Sequence, residues 1–226
     1  MAKKKISRKE LLKKPDEFMT LSSRAVNFFT SHQRQFKLAG VAVGIIVIVY
    51  LAAQTYFRYV NKQGQGAYNT AYFGLVENMK PDADPAALKK SEELFKGLMD
   101  DYGLSRAARL ALPQVGYVKF TQKNYAEAIS MYRAFLDKVS GNSEYESLAR
   151  LALAACYEAS GDMEKAIDTL KPILVHADGP FNEVAMLNLE RIYRTSNQHD
   201  KAKGVLKEFV EKYKDSPFLA MAKARL

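Results

Sequence analysis

LPQVGYVKFTQKNYAEAISMYRAFL (112–136), RLALAACYEASGDMEKAIDTLKPIL (150–174) and MLNLERIYRTSNQHDKAKGVLKEFV (186–210) stack without a gap. Val115, Leu153 and Leu189 share one column, and Gly116, Ala154 and Glu190 share the next. Ala128, Ala166 and Ala202 fill a small-residue column, where two helices must approach closely. Tyr132, Leu170 and Leu206 follow, then Phe135, Ile173 and Phe209, as the apolar face of a second helix. Turn-type residues (Gly103, Asn124, Gly141-Asn142, Gly161-Asp162, Gly179-Pro180, Asn197, Ser216-Pro217) recur every 17 to 21 residues. Between them the apolar spacing is helical, with no strand-like alternation. Helix pairs of about 14 residues repeating every 36 to 38 predict an all-α chain built as an α-solenoid.

Outward from these segments, a degenerate copy is expected over Ala67–Tyr102. It has one helix to Asn78, the Pro-bounded loop KPDADP, and a helix from Pro85 carrying Leu94, Phe95 and Leu98. After Pro217 the last ten residues are expected to start another first helix, with Leu226 in register with Leu189, capping the stack. The solenoid thus has three to four hairpins plus a C-terminal capping helix. Four residues break the pattern. Glu190 replaces a small residue, and Lys119 stands where Tyr157 and Tyr193 stand; Pro113 and Pro172 fall inside predicted helices, each removing a hydrogen bond.

Upstream, Leu38–Phe57 (LAGVAVGIIVIVYLAAQTYF) is a run of 20 residues without a charge. At about 1.5 Å per residue, such a helix matches a bilayer core of roughly 30 Å. The 37 residues before it carry ten Lys/Arg and three acidic residues, and the first 16 after it carry only Arg58 and Lys62. The positive-inside bias therefore predicts a cytoplasmic N-terminus and an exported C-terminal part. The expected division is a basic cytoplasmic tail (1–37), a transmembrane helix (38–57), a juxtamembrane linker (58–66) and the repeat domain (67–226). A cleaved signal peptide is the rival reading, but signal peptides have short basic regions and apolar cores of about 7 to 15 residues. Tyr56, Phe57 and Tyr59 close the outer end as interfacial aromatics do. The formal net charge of +9 sits mostly on the tail, next to anionic lipid, which argues against nucleic acid as partner.

In the tail, Pro15-Asp16 resembles a helix start, with Phe18, Leu21, Ala25 and Phe28 at helical spacing; a surface-lying helix and a disordered tail are both open. Gly40 and Gly44 place a G-x-x-x-G pair on one face of the spanning helix, a candidate contact for another membrane helix. Gly64 and Gly66 are expected to break the helix between membrane and domain. No enzyme constellation is found, and no cofactor or metal is implied. His32 lies in the tail, while His176 and His199 lack partners at metal-ligand spacing. Asp82 and Asp84 sit in a loop without the Gly and Glu of a calcium loop, and Cys156 shares an apolar face with Leu153, as inert core. Repeat stacks recognise polypeptides on a concave surface made by the first helix of each pair. The positions after the small-residue column, Tyr117, Phe120, Ala155, Glu158, Arg191 and Arg194, are the candidate partner groove.

The aligned columns, with their L-G-x-x-Y, then A, then F spacing, resemble the tetratricopeptide repeat. Together with the basic tail and single span, the chain resembles the bacterial YfgM-like family of ancillary SecYEG translocon subunits. That resemblance implies a single-pass inner-membrane protein with a periplasmic domain. It also implies association with the Sec translocon and membrane-anchored periplasmic chaperones, and a role in handing over translocated polypeptides. A structural scaffold or adaptor for envelope assembly or cell division would need the same hairpins and stays open, as does a secreted repeat protein if the span is cleaved.

Overall fold

Polar residues ahead of apolar periodic stretches cap five of the ten described α-helices. The structure is a computed structural model that describes residues 17–79, 84–175 and 179–226. Its elements are α1 (Glu17–Ser31), α2 (Gln33–Glu77), α3 (Pro85–Asp101), α4 (Arg106–Thr121), α5 (Tyr125–Lys138), α6 (Ser143–Ala159), α7 (Met163–Leu170), a 3-10 turn (Lys171–Val175), α8 (Asn182–Thr195), α9 (His199–Lys212) and α10 (Leu219–Ala224). Among the described residues there is no strand. Asp84, Ser105, Asn124, Asn142 and Asp162 each accept a backbone N–H of the helix they precede, satisfying a donor that the first turn leaves orphaned.

The turn inside each aligned segment is built the same way three times. Lys123, Gly161 and Asn197, which share a column, have φ of 60°, 87° and 59°. Their N–H groups bond back to Phe120, Glu158 and Arg194 at 2.9, 2.9 and 3.1 Å. The next N–H groups, on Asn124, Asp162 and Gln198, reach Lys119, Tyr157 and Tyr193 at 2.9, 2.8 and 2.8 Å. This paired pattern is the Schellman closure, which satisfies the last carbonyls of the first helix and reverses the chain into the second.

The columns read from the sequence are the core. Ala128, Ala166 and Ala202 are buried, as are Val115, Leu153, Leu189, Phe135, Ile173 and Phe209. One cluster joins Ala128 and Tyr132 to Leu153, Tyr157, Ala166, Leu170 and Leu189, linking consecutive hairpins. Another joins Ala71 and Leu75 to Phe95, Leu98, Ala111 and Val115, so the degenerate first copy packs as expected. Gly116 is small for a reason: a Cβ there would lie 3.0 Å from the Tyr132 ring.

Three expectations change. Gly64 and Gly66 do not break a helix, because α2 runs through both. Gly64 is buried, and a Cβ on it would lie 2.6 Å from the Ser105 hydroxyl, so this glycine serves close packing. Pro172 ends α7 after eight residues and the chain tightens into the 3-10 turn Lys171–Val175, since proline has no N–H for the carbonyl four residues back. Pro113, by contrast, is carried inside α4. The C-terminal cap is only a six-residue helix; Ala222 is fully buried, but Leu226 lies beyond the helix and is 43% exposed, whereas Leu189 is buried.

By contacts the chain forms two compact units, 1–56 and 57–226. In the first, α2 presents Val41, Ile45, Ile46, Ile48 and Leu51 outward, each more than half exposed. It is the one described helix long and apolar enough to span a membrane. The α1–α2 junction keeps helical hydrogen bonds from the amides of His32 and Phe36 to the carbonyls of Phe28 and His32, 3.1 Å each.

Candidate functional site

First helices carry the candidate groove, and their side chains divide into aromatic and charged sets. Tyr117 on α4 is half-buried against the cluster of Ala71, Leu75 and Phe95. Phe120, one turn on, is half-buried against the next cluster, that of Leu153 and Ala166, with its ring 5.6 Å from Tyr125. Both therefore give the core one side of the ring, while Ala155 on α6 is exposed.

The charged set is engaged within the chain. Nη1 and Nη2 of Arg191 on α8 both donate to the Glu158 carboxylate on α6, Nη2 at 2.8 Å, and Nη2 also donates to Asn188 at 3.0 Å. This fork-to-carboxylate pairing ties consecutive first helices together. Arg194 Nε donates to Glu190 at 3.0 Å, and Arg225 at the end of α10 donates to the other oxygen of the same carboxylate at 3.1 Å. Glu190 is only 1% exposed. Its place in a small-residue column is thus explained: the carboxylate is buried with a cation on each oxygen, and one of them staples the terminal helix to α8.

The second departure from the repeat pattern is also a charge site. Lys119 is buried and its ammonium lies 2.9 Å from Glu92 on α3 and 2.8 Å from Glu127 on α5. Hydrogen bonds to Glu127 and Glu92 raise the Lys119 pKa against the opposing effect of burial. Burial pushes the Glu92 carboxyl upward, but hydrogen bonds and charge from Lys96 and Lys119 outweigh it and hold the group below the ordinary carboxylate range. In the other two copies the same columns hold Tyr157 with Lys165 and Tyr193 with Lys201, the ammonium lying 5.8 and 5.6 Å from the ring centroid. The first copy has exchanged a cation–π contact for an ion pair in the same two columns. Glu92 and Glu127 escaped the sequence reading, although the coupled change Lys119/Glu127 is visible in the stacked segments.

The remaining sequence candidates separate. Gly40 and Gly44 lie on the exposed part of α2, with nothing within 4 Å of where a Cβ would be. Burial pushes the Cys156 thiol up to about 11, which keeps it protonated and unreactive. His199 opens α9 on the surface, and His32 Nδ1 lies 3.0 Å from the Phe28 carbonyl. Pro15, Asp16, Asp82 and His176 lie outside the described residues. Among the described residues no group of His, Cys, Asp or Glu is placed to hold a metal.

Residues 32–177 match the family model described as tetratricopeptide repeat-like domain, and residues 185–216 match a tetratricopeptide repeat model. Among solved structures, the chain is similar to the nearly identical TPR-like repeats of a Podosopora anserina protein described as a kinesin light chain, and to a variant of those repeats with one substitution. Identities are 12% and 13%, and each alignment covers 72% of this chain and 82% of the other, with a TM-score of 0.56. That likeness is one of fold. No curated protein matches the chain. With the repeat columns buried as the pattern demands and the family model covering most of its length, the chain belongs to the tetratricopeptide repeat-like domain family, a fold that serves protein–protein interaction.

Proposed function

We propose that this protein is a membrane-anchored interaction module of the YfgM-like kind, with residues 1–37 cytoplasmic, the span at 38–57 and the repeat domain periplasmic. In this reading it assists the handover of translocated polypeptides at the Sec translocon together with membrane-anchored chaperones. The observation that carries the reading is the joining of one lipid-compatible helix to an interaction repeat within a single family match, which begins at residue 32 and so takes in the apolar stretch. The ten-to-two distribution of basic residues around the span supports the orientation.

Within this reading the aromatic pair Tyr117 and Phe120 is the contact surface for polypeptide. Glu158 and Arg191 set the spacing of the first helices, and Arg194 is the most exposed cation of the set. Gly40 and Gly44 are the contact for a neighbouring membrane helix. Photoreactive residues at 117, 120 and 194, compared with the exposed second-helix positions Lys203 and Lys207, test the surface in intact cells. Translocating chains and translocon subunits captured from the first set are the expected result. Capture of cell-wall or outer-membrane machinery instead would assign the domain to scaffolding. Stronger capture from Lys203 and Lys207 would move the binding face to the second helices. Protease added to spheroplasts should digest the repeat domain and spare a tag on the tail; protection of the domain would reverse the topology.

A further inference from the structure

A cavity of about 430 Å³ opens between the start of α4, the end of α5 and the start of α6. Its deeper wall is apolar, made by Leu110, Phe135 and Val139, of which the last two are buried. Its exposed rim carries Arg106, Arg109 and Lys138, and no acidic side chain lines it. Among the described residues, none of these three cations is in an ion pair. Glu146, in the first turn of α6, is occupied by the Gly141 N–H at 2.7 Å. Three free cations above an apolar floor suit an amphiphilic anion, and a bare phosphate would leave the floor unused.

The position of the cavity decides the source of that anion. The backbone N–H of Arg106 donates to the side chain of Asn61 at 2.8 Å. Asn61 lies four residues beyond Phe57, the last residue of the apolar run, in the same helix α2, and so only about 6 Å further along its axis. A headgroup layer is roughly 5 to 8 Å thick on each side of the bilayer core. We infer that the cavity rimmed by Arg106, Arg109 and Lys138 holds the phosphate of an anionic phospholipid, with the start of its acyl chains on Leu110, Phe135 and Val139. This rests on the membrane-anchored reading. It would hold lipid at the starts of α4 and α6 and leave the groove residues Tyr117 and Phe120, toward the other end of α4, to partners.

The test uses the full chain purified in neutral detergent, with phosphatidylglycerol or phosphatidylcholine added and bound lipid counted by native mass spectrometry. Phosphatidylglycerol should be retained preferentially, and R109S with K138S should cut that retention about tenfold or more. Both side chains are exposed, so the thermal melt of the variant should match the parent. Equal retention of the two lipids, or an unchanged preference in the variant, would overturn the assignment. So would displacement of the lipid by millimolar inorganic phosphate, which points to a soluble anion, or by an acidic peptide, which points to a polypeptide site. Carbonate extraction of native membranes keeps the two readings apart: release of the chain would refute the anchor, whereas a carbonate-resistant chain without lipid preference would refute the cavity alone.

Discussion

At the scale of single residues, the departures from the repeat pattern are where the chain places charge. Lys119 was legible only as a misfit, because the partner that needs it most, Glu92, comes from the preceding hairpin and no column connects them. Lys119→Tyr, which restores the residue found in the other copies, should destabilise by about 1–3 kcal/mol in urea unfolding, since it leaves the buried Glu92 carboxylate with Lys96 as its one cation, beside a long 3.4 Å hydrogen bond from Gln122. The pH dependence follows from the shifts at this site. The depressed Glu92 pKa contributes stability that is complete above its unfolded value near 4.3 and is lost as pH falls through the lower folded value. The raised Lys119 pKa contributes stability that is complete below about 10.4 and is lost as pH rises through the higher folded value. Wild type should thus show a plateau between about pH 5 and 10. Glu92→Gln should flatten the acid limb, and an unchanged acid limb would show that other carboxylates govern it. The turn column offers a sharper contrast. Lys123 holds a left-handed backbone that costs a side-chain-bearing residue about 1–2 kcal/mol, so Lys123→Gly should stabilise by up to about 1 kcal/mol, while Gly161→Ala should destabilise by a similar amount. Loss of stability in Lys123→Gly would mean that the lysine side chain compensates elsewhere.

Helices show a different balance between what sequence reveals and what packing decides. The positions of α3 to α9 were legible because small-residue columns, N-cap residues and turn residues recur in phase, and each has a local physical cause. The length of α7 was not, because a proline inside an apolar pattern permits either a kink or a stop, and here the chain stops in a 3-10 turn with Ile173 buried in the core. The terminal helix was read as present but overlong, since six residues of Leu, Ala, Met and Lys carry no stop signal. Helix α10 is far shorter than the roughly 12–15 residues an isolated helix needs, so docking must hold it. Its anchors are Ala222, packed with Met186, Leu206 and Phe209, and Arg225 on the Glu190 carboxylate. Arg225→Met should speed amide hydrogen exchange throughout 219–224 while leaving α6 and α7 unchanged. Glu190→Gln should do the same, and combining the two should add little if they act through one interaction. Additive effects, or protection that survives in both variants, would assign the docking to Ala222 and its neighbours alone.

For the whole molecule, the open question is where the folded repeat domain begins. The turn pattern puts the boundary at residue 67, because Gly64 and Gly66 look like a break and no capping residue marks an earlier start. A helix that leaves an apolar run and continues as part of a domain has no reason to carry a cap, so its sequence is silent about the junction. In the structure Val60 is 6% exposed, Gly64 packs on Ser105, and Asn61 accepts the first amide of α4, all upstream of residue 67. Burying a valine is worth about 1.5–3 kcal/mol and a hydrogen bond about 0.5–1.5 kcal/mol. A soluble fragment of residues 57–226 should therefore be more stable to urea than one of residues 67–226 by about 2–4 kcal/mol, with a larger m value from the extra surface buried. Gly64→Val in the longer fragment should remove most of that difference, because its Cβ would collide with Ser105 and part α2 from the start of α4. Superimposable unfolding curves for the two fragments would instead make 58–66 a linker, as the turn pattern implied, and the packing of Val60 incidental.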